Sequence, residues 1–287
     1  MNDFAQALNP PQLPSKIGSM LVARGKLDDK DLPRIAIAQK KYGLRFGAAA
    51  LKLGLVSPED ISAVIAEQFA YTPPPTSNSP LARELHCLFA PDSARSEAVR
   101  SLRSELMLRY FNSRPGAGLT LLGAENPKML ALTAANLAIS FAQIGLKTLL
   151  IDGNLRKPGM DQLFAHNSHR PGLTDGLAGR GSLVASSVAE VDGLWFISAG
   201  TPVPNPQELL ANRTSQQRLF ELQNSFDITL INTAPMDTNR DAQLQAAQTG
   251  TALLVAQRHQ SKTKALASIC ARMNSLNVRL LGVALYE

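Results

Sequence analysis

Cysteine is scarce in this 287-residue chain: only Cys87 and Cys270 are present, far apart. A disulfide scaffold and a cysteine-built metal site are therefore excluded, and a reducing compartment fits. Aromatic residues make up 5%, with Trp195 the sole tryptophan. No apolar run approaches the roughly 18 residues that a membrane-spanning helix needs. The first residues lack a basic segment followed by an apolar one, so no signal peptide is read there. The net charge is +6, yet no run of Lys and Arg exceeds two. Scattered charge of this kind argues against a nucleic-acid partner. His86, His166, His169 and His259 have no metal-ligand spacing, and no G-x-S-x-G elbow occurs. The expected location is cytoplasmic, peripheral at the inner membrane through a partner.

What is there is organised around residues 119–156, LTLLGAENPKMLALTAANLAISFAQIGLKTLLIDGNLR. An apolar strand pattern at 119–122 leads to a small-residue helix pattern over 130–144. Gly145 stands at the helix stop, and a second apolar strand, 148–152, delivers Asp152 and Asn154. Strand, helix, strand is a βαβ unit, whose first loop ordinarily holds a phosphate on free backbone N–H groups. Further strand patterns lie at 194–198, 228–232, 252–256 and 279–285. The fold class expected is α/β: a mostly parallel sheet with helices on both faces, P-loop NTPase-like, preceded by a small helical repeat domain.

That leading domain, 13–71, follows a loose tail at 1–12 and precedes a Pro/Ser-rich linker at 72–92. It carries a 29-residue repeat: Gly18, Gly25, Leu32 and Gln39 recur as Gly47, Gly54, Ile61 and Gln68. Each copy predicts a short helix (17–24, 46–53), a glycine turn and a longer helix. Asp28 with Asp31 can cap the first long helix, and Ser57 with Asp60 the second. The two copies, KIGSMLVARG and RFGAAALKLG, resemble the tandem motif in the N-terminal domain of type II secretion ATPases. The resemblance implies a docking module or, in some members, cyclic di-GMP binding; the candidate contacts are Lys16, Gly18, Arg45 and Gly47.

Residues 93–287 form the remaining domain. The helical pattern at 93–110 contains EAVRSLRSEL, with Glu97, Arg100 and Arg103 at spacing three. This resembles the E-x-x-R-x-x-R helix through which bacterial tyrosine kinases pack into rings. TAANLAISFAQIGLKTLLIDGNLRKP (133–158), PNPQELL (204–210) and ITLINTAP (228–235) resemble the same kinases, which control polysaccharide chain length and are related to ParA and MinD ATPases. The resemblance implies a kinase that uses ATP and Mg2+, a membrane-bound polysaccharide co-polymerase as partner, and homo- or hetero-oligomers.

The family's G-x-x-x-x-G-K-[ST] loop aligns with AENPKMLA, residues 124–131. Leu130 then stands at the lysine position and Ala131 at the hydroxyl position. Asn154 and Asn232 replace two of the acidic positions, whereas Asp152 and Arg156 remain. These four replacements remove phosphate neutralisation and metal ligands together. The expectation is therefore a pseudoenzyme: an assembly or regulatory subunit of exopolysaccharide export, not an enzyme, without a cofactor. Alternatives are an active ATP-dependent tyrosine autokinase, a cyclic di-GMP-responsive adaptor and a ParA/MinD-like positioning factor. Of the tyrosines, only Tyr286 lies near the end; Tyr42, Tyr71 and Tyr110 read as packing residues.

Overall fold

A computed structural model of the protein describes residues 16–68, 75, 78–114, 116–166, 171–236 and 240–286, with the side chains of 16 and 66–68 left out. The expected tail 1–12, Tyr71, His169 and most of the Pro-rich run at 72–77 lie outside the described residues. The chain divides into two units, Met1–Pro74 and Pro75–Glu287.

In the first unit the repeat becomes four helices: α1 (Lys16–Ala23), α2 (Leu32–Tyr42), α3 (Phe46–Lys52) and α4 (Pro58–Gln68). Gly25 and Gly54, equivalent in the two copies, both hold left-handed φ values near +65°. That conformation is costly for residues with a Cβ, so the turn fixes glycine in each copy. The helices interlock across the copies: α1 packs on α4 and α2 on α3. Leu21, Ile35, Ala49, Ala50 and Val64 close the core. Gly18 has a packing reason of its own, since a Cβ there would come within 2.9 Å of Phe46 Cζ. Asp28 caps the 3-10 turn Asp29–Asp31 rather than α2, and Asp31 instead pairs with Arg34 at 2.6 Å.

The capping box at α4 forms in full. Asp60 N donates to Ser57 Oγ at 3.1 Å, and Ser57 N donates to Asp60 Oδ2 at 3.1 Å. These bonds, with Lys26 beside it, hold the Asp60 carboxyl below its ordinary range. Ser57→Ala is expected to destabilise this unit by about 1 kcal/mol. Hydrogen exchange of the α4 amides is the measurement, and unchanged protection in the first turn would contradict it.

The second unit is a seven-stranded sheet in the order β3-β4-β2-β5-β1-β6-β7. The strands are β1 (Ala117–Gly123), β2 (Thr148–Asp152), β3 (Ser186–Ser187), β4 (Leu194–Ile197), β5 (Ile228–Asn232), β6 (Thr251–Gln257) and β7 (Arg279–Tyr286). All neighbours are parallel except β3 with β4. Alternation sends Leu119, Leu121, Leu150 and Leu230 to one face and Leu122, Leu149, Ile151 and Ile231 to the other.

The first face is covered by α5 (His86–Phe89), α6 (Ala94–Arg109) and α7 (Pro127–Ala142). Against the second lie α8 (Leu173–Leu177), α9 (Pro206–Ala211), α10 (Arg213–Gln223), α11 (Asp241–Thr249) and α12 (Thr263–Ser275). The α/β class and helices on both faces are thus as expected. The linker is shorter than 72–92: Leu81, Leu85 and Leu88 are buried in the core, and Ala82 N donates to Leu163 O at 3.0 Å. No helix among the described residues is long and apolar enough to cross a membrane.

Candidate functional site

Parallel sheets present their ligand crevice at the carboxyl ends of the strands, where β1, β2 and β5 lie side by side. The turn after β1 is short. Only Ala124–Asn126 separate Gly123 from α7, which starts at Pro127 rather than at residue 130. Proline suits a first helical turn, and Asn126 supplies the cap: its Oδ1 accepts Met129 N at 3.2 Å. Asn126 takes a left-handed φ of 55°, which asparagine tolerates better than most residues. Its Nδ2 donates to Gln257 Oε1 at 3.0 Å, tying the turn to the end of β6.

Two of the expected positions are now placed. Leu130 is 1% exposed, packed into the sheet core against Gly123. Ala131 is partly buried on the same helix. Lys128, the nearest cationic side chain in sequence, reaches away to Glu84 at 3.3 Å.

The acidic side is built on β2 and β5. Asp152 is 1% exposed, with four donors around it. Asn154 N (3.1 Å) and Asn232 Nδ2 (3.0 Å) reach Oδ1, while Gly159 N and Met160 N, each at 3.3 Å, reach Oδ2. Burial outweighs these donors and pushes the carboxyl above its ordinary range. Asn154 turns its own Oδ1 back to Lys157 N at 3.2 Å, closing the loop after β2. Asn232 spends its amide nitrogen on Asp152, which leaves Asn232 Oδ1 buried with no hydrogen-bond partner among the described residues.

Asp161 is a residue that no motif pointed to. Burial first, and the Asp152 charge second, raise its carboxyl to about 6, and its Oδ1 is also buried without a partner among the described residues. A raised native pKa makes stability fall as pH rises from about 4 to about 6, because the native state holds the proton that the unfolded chain releases. In cation-free buffer, Asp161→Asn is expected to stabilise the protein by about 1 kcal/mol at pH 7, after discounting for solvent screening. The gain should disappear by pH 4. Equal gains at both pH values in urea titrations would refute this.

Arg156 closes the same loop from outside. Its Nε and Nη2 make a fork to Asp241 Oδ2 and Oδ1, at 2.6 and 3.1 Å. Gln245, one turn along α11, donates to Gly153 O at 2.9 Å. The retained Asp152 and Arg156 are therefore brought together by the β2 loop, and Asp241 and Gln245 join them from a distant segment. Asp241 opens α11 as an acidic first-turn residue, which is the one sequence signal that pointed toward it.

Among the described residues no three His, Cys, Asp or Glu side chains converge as metal ligands. The orphaned oxygens of Asn232 and Asp161 beside Asp152 nevertheless fit a hydrated cation, held largely through water. The phosphate side does not fit the family motif. Lysine and hydroxyl are missing at 130 and 131, and the turn is three residues long.

On α6, Glu97 and Arg100 pair with each other at 2.7 Å. Arg100 also donates to Pro91 O at 2.8 Å, and Arg103 donates to Ser140 O at 2.9 Å on α7. Both arginines are thus held within the chain, with Glu97 the exposed member. Tyr110 is buried, with its hydroxyl 2.7 Å from Thr251 Oγ1, whereas Tyr42 is 44% exposed and is not a core residue.

The sheet order and crevice define a class, the P-loop NTPase-like α/β fold. The cell division ATPase MinD of Pyrococcus furiosus shares it, with a TM-score of 0.50 at 22% identity over 59% of this chain and 71% of that one. The likeness narrows further: this chain has, at family level, the fold of the bacterial tyrosine kinases. The kinase domain of the Escherichia coli tyrosine kinase ETK matches with a TM-score of 0.66 and 28% identity, over 73% of this chain and 82% of that domain. The tyrosine-protein kinase relative EpsB of Ralstonia nicotianae is 33% identical over 195 residues, 67% of this chain. The chain spans about a quarter (26%) of the length of EpsB. No family model matches the chain.

Two expectations are corrected by these likenesses. The non-enzyme reading rested on Leu130, Ala131, Asn154 and Asn232, yet the matched proteins are named as tyrosine kinases. The expectation of no cofactor falls with it, because kinase-domain likeness implies a capacity for ATP and Mg2+. The physical reason is that four side chains change motif chemistry locally, while the strand-end crevice, the buried Asp152 and the Arg156–Asp241 fork are all in place in this chain. The comparisons lend no support to a separate secretion-ATPase-like module at 13–71.

Proposed function

We propose that the chain is the kinase-family component of a bacterial exopolysaccharide assembly system, taking Mg2+-ATP at the carboxyl ends of β1, β2 and β5 and phosphorylating tyrosine. The observation that carries this is the set of buried acceptor oxygens on Asp152, Asp161 and Asn232, held in one crevice of a tyrosine-kinase fold. Bound Mg2+ would supply charge neutralisation for the nucleotide phosphates. The chain's own contribution is positional. Asn232 and the 159–160 amides fix Asp152, and the Arg156 fork anchors the loop that carries it. The partner in this reading is a membrane-bound polysaccharide co-polymerase, and assembly engages the α6 face that shows Glu97.

Calorimetry with Mg2+-ATP and phosphotyrosine detection by mass spectrometry test the reading together. Micromolar binding is expected, weakened at least about tenfold by Asp152→Asn, since a hydrogen-bonded charge contributes about 1.5–3 kcal/mol. No binding at millimolar nucleotide, together with no phosphotyrosine, would remove the reading.

A further inference from the structure

A cavity of about 510 Å3 lies away from the acidic loop, between α6, α7 and the ends of β6 and β7. Its size falls in the range of small-molecule sites, about 300–1,000 Å3. Leu102, Leu132 and Val255 give it an apolar floor. Its polar groups are few and specific. Arg95 stands over the Tyr286 ring, 6.0 Å from guanidinium carbon to centroid. Among the described residues no carboxylate pairs with Arg95. Glu84, the acid at the rim, is taken by Lys128.

His86 is oriented by its partner. Asn136 Oδ1 accepts Cys87 N at 3.0 Å, and Asn136 Nδ2 donates to Leu132 O at 3.0 Å, so the amide cannot be turned round. His86 Nδ1, 2.5 Å from that same Oδ1, must then carry the proton. Burial, and secondarily the Arg95 charge, hold the ring below its ordinary range, which favours the neutral form. His86 Nε2 is left as an acceptor on the cavity wall.

We propose that this cavity is a binding site for a small organic anion with an aromatic or fused-ring body. The ring rests on the apolar floor beside Tyr286, its acidic group meets Arg95, and a donor on the body meets His86 Nε2. A guanidinium with no carboxylate partner among the described residues, set over an aromatic ring, selects charge and planarity together, as arginine forks and stacks at once. The site makes no use of the nucleotide crevice, so it stands or falls separately from kinase activity.

Anilinonaphthalene sulfonate is a suitable probe, with N-phenylnaphthylamine as its uncharged counterpart. Fluorescence titration of the full chain should show one saturable sulfonate site. Arg95→Gln should weaken the sulfonate about tenfold, the loss of one charge-assisted contact. Arg95→Lys, which keeps the charge but not the planar fork, should fall between the native chain and Arg95→Gln, and the neutral amine should not distinguish Arg95→Gln from the native chain. Ala98→Trp, which fills the cavity mouth, should abolish both. Circular dichroism confirms folding, and Val99→Trp replaces Ala98→Trp if that variant unfolds. Absence of a saturable site, equal sulfonate affinity in Arg95→Gln, or indifference to the filling variant would each overturn the proposal.

Discussion

Leu130→Lys is expected to lower the unfolding free energy of the second unit by about 2–4 kcal/mol, although it writes the kinase family's own residue into the sequence. The Leu130 side chain fills core space, and α7 already begins at Pro127, so position 130 faces the sheet rather than a ligand. Removing the branched end leaves a void, and an ammonium in its place must either lose its charge or drag its stem toward the Asn126 turn. Trp195, the only tryptophan, sits on β4 and reports unfolding of this sheet by fluorescence in urea. A change under about 0.5 kcal/mol, the range of an ordinary surface substitution, would show that the side chain at 130 reaches solvent instead.

Arg156→Ala should cost about 2–3 kcal/mol. Breaking a buried pair by deleting one partner ordinarily costs about 3–5 kcal/mol; here the value is reduced because Arg156 itself is 37% exposed while Asp241 is 2% exposed. Arg156→Lys should restore less than half of that, since a single ammonium cannot reproduce the fork to both carboxylate oxygens. The loop consequence is separable from the global one. Amide exchange at Gly159 and Met160, whose N–H groups hold Asp152, should accelerate in Arg156→Ala beyond what the stability change explains. If the loss were under about 0.5 kcal/mol, with unchanged exchange, the fork would be a surface pair and nothing more.

The strands were legible because each main strand is a short apolar run, buried on both faces in all but the edge strand β7, and all six expected runs fall within a residue or two of the observed ones. β3 was not legible: two serines antiparallel to β4 carry no apolar signal. The start of α7 was written in the sequence as Asn126-Pro127, a cap followed by a first-turn proline, and was obscured by aligning the stretch to a glycine loop. Asp152 and Arg156 were found from motif positions. Asp161 was not, because its role comes from depth beside Asp152 rather than from spacing. Arg103 shows the same limit, since its bond to Ser140 is made by helix packing that local periodicity does not encode.

The crossed packing of the first unit, α1 on α4 and α2 on α3, carries a historical consequence. Each 29-residue copy offers its short helix to the other copy's long one. A polypeptide with one copy would bury those faces only by pairing with a second molecule, so its folding would depend on concentration. Tandem duplication turns that bimolecular encounter into an intramolecular one, with an effective concentration set by the few residues joining α2 to α3. The module then has the form of two copies of one unit joined by a three-residue connection, 43–45. An excised copy, residues 16–43, should fold only as it dimerises.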